Sequence, residues 1–122
     1  MYIVSVDSKF ASAHSLRGYD GDCARLHGHT WKVTVDILVE STDNAGISLD
    51  FKKVSDYLEE ITGRLDHQNL NDLDEFREVN PTAENIAKVV FEFMSLRFNF
   101  DGAGINSVTV AESEKYRVKY KP

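Results

Sequence analysis

The sequence predicts an α+β domain in which two helices cover one face of a four-stranded antiparallel sheet, in the order ββααββ. Three observations predict it. Two long runs of alternating side chains occupy the first third of the chain, two stretches with helical spacing follow, and two short alternating runs close it. The 122 residues fit a single domain spanning 1–122. A hydrophobic content of 42% supplies a core, and 28% charged residues keep the surface wet.

Residues 2–14 read as the first strand, with Tyr2, Val4, Val6, Ser8, Phe10, Ser12 and His14 on one parity. Residues 27–40 alternate more cleanly: Trp31, Val33, Val35, Ile37 and Val39 face one way, and Thr30, Lys32, Thr34, Asp36 and Glu40 the other. A helix of about residues 50–64 follows, with Asp50 or Ser48 as N-cap and Phe51, Val54, Leu58 and Ile61 on its buried face. After the loop Leu65-Asp-His-Gln-Asn-Leu-Asn-Asp, a second helix starts near Pro81, a favoured first-turn position. It turns Ile86, Val89, Val90, Phe93 and Met94 inward and is broken by Asp101-Gly-Ala-Gly. Two short strands, 105–112 and 115–121, are joined by Ser113-Glu114. The other face of this sheet carries Lys32, Thr34, Asp36, Thr109, Arg117 and Lys119, so it is wet or meets a neighbouring subunit. Four short strands leave open edges, which favours closure by oligomerisation.

Bulk chemistry narrows the function. No run reaches the length of a membrane span, and Met1-Tyr-Ile-Val lacks the basic, apolar start of a signal peptide. One cysteine precludes an intrachain disulfide framework and suits a reducing cytoplasm, so a cytoplasmic location is expected. A net charge of −6 argues against nucleic acid or a membrane surface as the main partner.

Chemistry concentrates between positions 14 and 29. His27 and His29 flank Gly28 on a strand, so their imidazoles share a face, roughly 6–7 Å apart along it. If neither strand is bulged, His14 joins them on the core side. Three imidazoles leave a fourth position open, the arrangement of a catalytic zinc; iron, nickel or copper also suit such a set. Cys23 reads as a fourth ligand, a buried inert thiol or a reactive thiolate, and the polar, turn-rich Gly18-Tyr-Asp-Gly-Asp-Cys-Ala-Arg favours the last. Asp66-His67 is either an oriented general base or a turn cap beside a surface histidine. Glu112 shares the core parity of Val108 and Val110, where it accepts paired N–H groups from a guanidine-like ring edge or turns to solvent at the strand end. Thr82 and Glu84 read first as the opening turn of a helix, and Lys115, Arg117, Lys119 and Lys121 as the wet face of a strand.

Taken together, Phe10-Ala-Ser-Ala-His14, Cys23-Ala-Arg-Leu-His-Gly-His29, Leu49-Asp-Phe51, Leu65-Asp-His-Gln-Asn-Leu70, Asn80-Pro-Thr-Ala-Glu-Asn-Ile-Ala87 and Val110-Ala-Glu112 strongly resemble the 6-pyruvoyltetrahydropterin synthase family. The short spacing from Cys23 to His27 is similar to the queuosine branch; animal-type pyruvoyl enzymes usually place two more residues there. The resemblance implies the tunnelling fold (T-fold), closed into oligomeric barrels, typically a homohexamer built as a dimer of trimers, with active sites between subunits. It implies zinc on His14, His27 and His29. It makes Cys23 the base that moves a side-chain proton, with Asp66 and His67 completing the relay from an adjacent subunit, and Glu112 the pterin anchor.

Three departures from the family pattern stand out. Ser12 replaces a common Ala, Glu112-Ser113 replaces Glu-Thr, and Thr82-Ala83 replaces a Thr-Thr pair, leaving Thr82 as the remaining hydroxyl for the pterin. The implied reaction is that of a zinc-dependent lyase of queuosine biosynthesis. It converts 7,8-dihydroneopterin triphosphate to 6-carboxy-5,6,7,8-tetrahydropterin, releasing acetaldehyde and triphosphate. Arg17, Arg25 or Lys32 are expected to supply a basic lining for the triphosphate. The alternatives are the pyruvoyl-forming activity, a metal-dependent hydrolase, and a noncatalytic zinc-stabilised binding module in which Cys23 closes the metal site.

Overall fold

A computed structural model describes residues 1–100 and 102–122, with the side chains of 99 and 100 left aside. Its elements are β1 (Tyr2–His14), β2 (His27–Val39), α1 (Phe51–Leu65), α2 (Ala83–Arg97), β3 (Asn99–Phe100), β4 (Ala103–Ala111) and β5 (Arg117–Tyr120). Four antiparallel ribbons run β1-β2-β4-β5, as the alternation predicts, and the two-residue β3 shares the outer edge of β4 with β5. All 13 residues of β1 pair with β2 without a slip, from Tyr2 opposite Val39 to His14 opposite His27. The single register shift lies further along β2, between Asp36 and Ile37 against β4.

Both helices lie on one face, α1 against β1 and α2 against β4 and β5. Phe10, Trp31, Val33, Val35, Ile37, Val108 and Val110 from the sheet meet Val54, Leu58, Ile61, Leu65, Ile86, Val90 and Met94 from the helices. Burying each such side chain contributes about 1.5–3 kcal/mol, so this interface carries the fold. Phe51, expected on the buried face of α1, is 64% exposed. As the first residue of the helix, it projects past the end of the packed stripe.

Asp50 caps α1 by accepting the Lys52 amide at 3.0 Å. Pro81 does not open α2; Thr82 is its N-cap and Ala83 its first residue, so Pro81 lies one residue before the cap. The helix ends at Arg97, earlier than expected, because the chain turns to pair β3 with Ala103 and Gly104. Of the expected breaker, Asp101 lies outside the described residues. The β4–β5 connection is a bend of five residues, 112–116, not a two-residue turn. The Ser113 hydroxyl holds it by accepting the amides of Lys115 and Tyr116 at 3.2 and 3.3 Å.

The opposite face is polar but not uniformly wet. Ser5, Asp36 and Ser107 stand side by side across β1, β2 and β4. Asp36 is 8% exposed and Ser107 fully buried. The carboxylate accepts Ser5 Oγ at 2.5 Å and Ser107 Oγ at 3.0 Å, and Lys119 Nζ lies 3.7 Å away. Among the described residues no helix is long and apolar enough to cross a membrane.

Candidate metal centre and active site

Strand alternation delivers the three imidazoles. His14 and His27 are cross-strand partners, and His29 stands two residues along β2 on the same face. Their ring centroids are 4.5 Å (14–27), 5.2 Å (14–29) and 4.9 Å (27–29) apart. Trp31, fully buried, closes the floor, edge-on to His14 at 4.8 Å and His29 at 5.0 Å. Its Nε1–H donates to the Ser12 carbonyl, so the floor is tied to β1.

The hydrogen bonds set the tautomers. His14 Nδ1 lies 2.7 Å from the Pro81 carbonyl and His27 Nδ1 2.7 Å from the Arg25 carbonyl. A carbonyl only accepts, so both Nδ1 atoms carry a proton, and in the neutral rings the lone pair falls on Nε2. Those two Nε2 atoms face each other at 3.0 Å. Two acceptors at that distance repel unless a cation lies between them. The third, His29 Nε2, is buried and without a hydrogen-bond partner, which is costly for a polar atom. One ring nitrogen from each histidine lies within 4.8 Å of the others. Backbone carbonyls that orient ligating imidazoles are the usual outer layer of a metal site.

Burial holds the His14 imidazole below its ordinary pKa, with the Pro81 hydrogen bond opposing, and burial likewise lowers His29 against the pull of Glu112. Neutral imidazoles are the form that binds a metal. The donor set therefore fits a divalent cation of zinc's preference.

Cys23 lies in the short helical turn Asp22–Ala24, exposed, and is not one of the metal-holding group. Its carbonyl accepts the Leu16 amide at 3.1 Å, tying that turn to the segment leaving His14. Asp66 and His67 sit at the outer edge of β1. Asp66 Oδ1 accepts the Ala11 amide at 2.8 Å, and Asp66 Oδ2 lies 2.7 Å from His67 Nδ1. The Ala11 amide, then the His67 imidazole, hold the Asp66 carboxyl below the usual carboxylate range.

His67 has φ 54, a conformation that side chains other than glycine seldom adopt. The loop is over-determined there. His67 N–H donates to the Ala11 carbonyl, Ala13 N–H to the Gln68 carbonyl, and Ser12 Oγ donates to the Leu65 carbonyl while accepting the Gln68 amide. The His67 side chain is 83% exposed, and among the described residues neither it nor Asp66 hydrogen-bonds to Cys23 or to the three imidazoles.

Glu112 follows β4 and borders a hollow of about 570 Å³ that also reaches His29, Thr30, Lys9, Lys32 and Arg117. Thr82 is engaged as the cap of α2, accepting the Asn85 amide at 3.1 Å. A larger hollow of about 1060 Å³ at residues 41–51 is lined by none of the candidate residues. Of the residues expected to supply a basic lining, Lys32 borders the Glu112 hollow with Lys9 and Arg117, whereas Arg17 is engaged elsewhere. Arg17 directs its guanidinium at the carbonyls of Phe76, Arg77 and Val79 and the Asn80 side chain, and Lys32 lies 3.4 Å from Asp7. Sequence reasoning also missed Asn71, Asn80 and the Pro81 carbonyl, which hold the His14 end of β1 from outside it. Only the Asn-Pro-Thr punctuation before α2 hinted at them.

The family described as 6-pyruvoyl tetrahydropterin synthase matches over residues 3–122. The chain is 30% identical over 125 aligned positions to 6-carboxy-5,6,7,8-tetrahydropterin synthase of Synechocystis sp., covering 98% of this chain and 93% of that one. It is 33% identical over 95 positions to dihydroneopterin monophosphate aldolase of Pyrococcus furiosus, covering 78% and 75%. Its fold superposes on the structure of Caenorhabditis elegans 6-pyruvoyl tetrahydropterin synthase with a TM-score of 0.85 at 26% identity, across 100% of this chain and 97% of that one. With two helices on one face of the antiparallel sheet and three imidazoles at one end of its longest ribbon, the chain has the T-fold and belongs to the 6-pyruvoyl tetrahydropterin synthase family.

Proposed function

We propose that the chain is a zinc-dependent lyase that converts 7,8-dihydroneopterin triphosphate to 6-carboxy-5,6,7,8-tetrahydropterin. The observation that carries the proposal is the convergence of ring nitrogens from His14, His27 and His29, two of the rings with Nδ1 held by backbone carbonyls. These residues would hold the zinc, which supplies Lewis acidity to the substrate's side-chain hydroxyls. Glu112, beside His29 in the same hollow, offers two carboxylate oxygens to the pterin N–H groups and so fixes the ring. Thr82 keeps its hydroxyl proton as a further donor to the ring.

Cys23 removes and returns the proton on the side-chain carbon, and its exposure in a polar turn suits that role. Asp66 orients His67 through Nδ1, leaving Nε2 free to exchange a proton with the cysteine of a neighbouring subunit. The exposure of His67, and the edges of β5 and of β1 ahead of Ala11, which pair with no further strand among the described residues, support assembly into a homohexamer, a dimer of trimers. Overall, the carbon–carbon bond beyond the first side-chain carbon breaks, acetaldehyde and triphosphate leave, and water supplies the second carboxylate oxygen.

A second reading, aldol cleavage of the monophosphate ester, is favoured by the Pyrococcus furiosus relative and by the commitment of Arg17 to backbone carbonyls, which leaves fewer hydrogen-bond donors for a triphosphate. Zinc-loaded protein incubated with 7,8-dihydroneopterin triphosphate, or with the monophosphate, distinguishes them by mass analysis of the pterin. The 6-carboxy product with acetaldehyde is expected from the triphosphate. A pyruvoyl side chain, or turnover of the monophosphate alone, would overturn the assignment. Cys23→Ala should retain zinc and pterin but lose turnover.

A further inference from the structure

We infer that Arg17 and Asn80 form a clamp that positions the metal centre, acting on His14 through the Pro81 carbonyl and on the Cys23 turn through Leu16. The inference rests on the metal-binding reading of the three histidines. The segment that leaves His14 is fastened residue by residue. The Asn71 side chain bonds both backbone groups of Ser15, accepting its N–H at 2.8 Å and donating to its carbonyl at 2.9 Å. The Leu16 amide donates to the Cys23 carbonyl. The Asn80 side chain repeats the Asn71 pattern on Arg17, accepting its N–H at 2.8 Å and donating to its carbonyl at 2.8 Å.

The Arg17 side chain then returns to the same loop. Nη1 donates to the Arg77 carbonyl at 2.7 Å, Nη2 to the carbonyls of Phe76 and Val79, and Nε to Asn80 Oδ1 at 3.3 Å. None of these acceptors is a carboxylate. The guanidinium serves as a multi-pronged donor with fixed directions, a role lysine cannot fill with one rotating ammonium.

The loop so held ends in Asn80-Pro81. Asn80 is fixed further by its carbonyl, which accepts the Asn85 side chain at 2.8 Å. The proline ring restricts φ at Pro81, and Thr82, held as the cap of α2, anchors the chain just beyond it, so the Pro81 carbonyl is constrained from both sides. That carbonyl receives His14 Nδ1–H at 2.7 Å. It thereby sets the ring angle and the direction of the Nε2 lone pair. Arg17 and Asn80 touch no reacting atom; they are positioning residues. Loss of such outer-layer partners elsewhere weakens metal affinity by about 10–100-fold.

The test is zinc affinity of the full chain, by competition with a chromophoric chelator, for wild type, Arg17→Met, Arg17→Lys and Asn80→Ala, with His14→Ala as the reference lacking a ligand. Nitrogen-15 histidine spectra report the His14 Nδ1 proton directly. Arg17→Met and Asn80→Ala should each weaken zinc about tenfold or more. Arg17→Lys should fail to restore it, and the His14 Nδ1 proton should exchange faster in all three. Affinity within twofold of wild type in both Arg17→Met and Asn80→Ala would overturn the clamp, whatever their thermal stability. If Arg17→Met does not fold, Asn80→Asp, which keeps the acceptor and removes the donor, is judged by the same twofold limit. Wild-type protein that takes up no zinc would overturn the metal reading and the clamp with it. Wild-type uptake with unaffected variants would overturn the clamp alone.

Discussion

Asp36→Ala should destabilise the protein by about 1–4 kcal/mol, although the residue lies on the face of the sheet away from the helices. The magnitude follows from its three partners. Ser107 is fully buried, so its hydroxyl loses its acceptor with no water to replace it, a penalty of about 1–3 kcal/mol. Ser5 is exposed and its hydroxyl turns to water, so that bond contributes about 1 kcal/mol at most. The Lys119 ammonium, 61% exposed and 3.7 Å away, adds no more than about 0.5 kcal/mol. Urea unfolding of Asp36→Ala, Ser107→Ala and the double variant measures these terms. The double variant should lose about 1–2 kcal/mol less than the sum of the singles, because it no longer strands a buried hydroxyl. A loss below about 0.5 kcal/mol for Asp36→Ala, or strict additivity, would refute the reasoning.

Ser12→Ala removes the hydroxyl that bridges the Leu65 carbonyl and the Gln68 amide. It should cost about 1–2 kcal/mol and speed hydrogen exchange at Gln68 more than at core amides; unchanged exchange there would count against the bridge. Thr82→Ala should cost about 1 kcal/mol by uncapping α2, read from thermal unfolding of the metal-free chain. The folded pKa of Asp66 is depressed, so its contribution to stability is present above the unfolded carboxylate range and is lost as pH falls through the folded value. The stability of Asp66→Asn should therefore converge with wild type below about pH 4 and lie under it at neutral pH; parallel curves would contradict this.

The fold was legible because each element announces its period. Val33, Val35 and Ile37 alternate, whereas Val54, Leu58 and Ile61 recur at helical spacing, and all six are buried as those periods require. The imidazole trio was legible for the same reason, since side-chain parity converts sequence spacing into a shared face. Boundaries fared worse. Pro81 suits a first helical turn, but the Thr82 hydroxyl offers the better cap and moves the start of α2 beyond it. The clamp and the Asp36 row were not legible. They join Arg17 to residues 76–80 and Asp36 to Ser107 across distances in sequence that no local period encodes. Arg17 looked like a cation for an anionic substrate because composition gives its charge and not its neighbours.

The unbroken pairing of β1 with β2 has a consequence for how such a chain can change. A residue inserted or removed between Phe10 and His14, or between His27 and Trp31, would swing an imidazole to the far side of the sheet, so lengths there are frozen. Residues 18–26 overhang the last rung of the ladder and obey no such parity rule, although the Leu16 amide ties the Cys23 end of them to the strand exit. Cys23 rides in that overhang. The spacing of the three imidazoles is thus rigidly inherited, while the thiol is mounted on a segment whose length can vary without disturbing them.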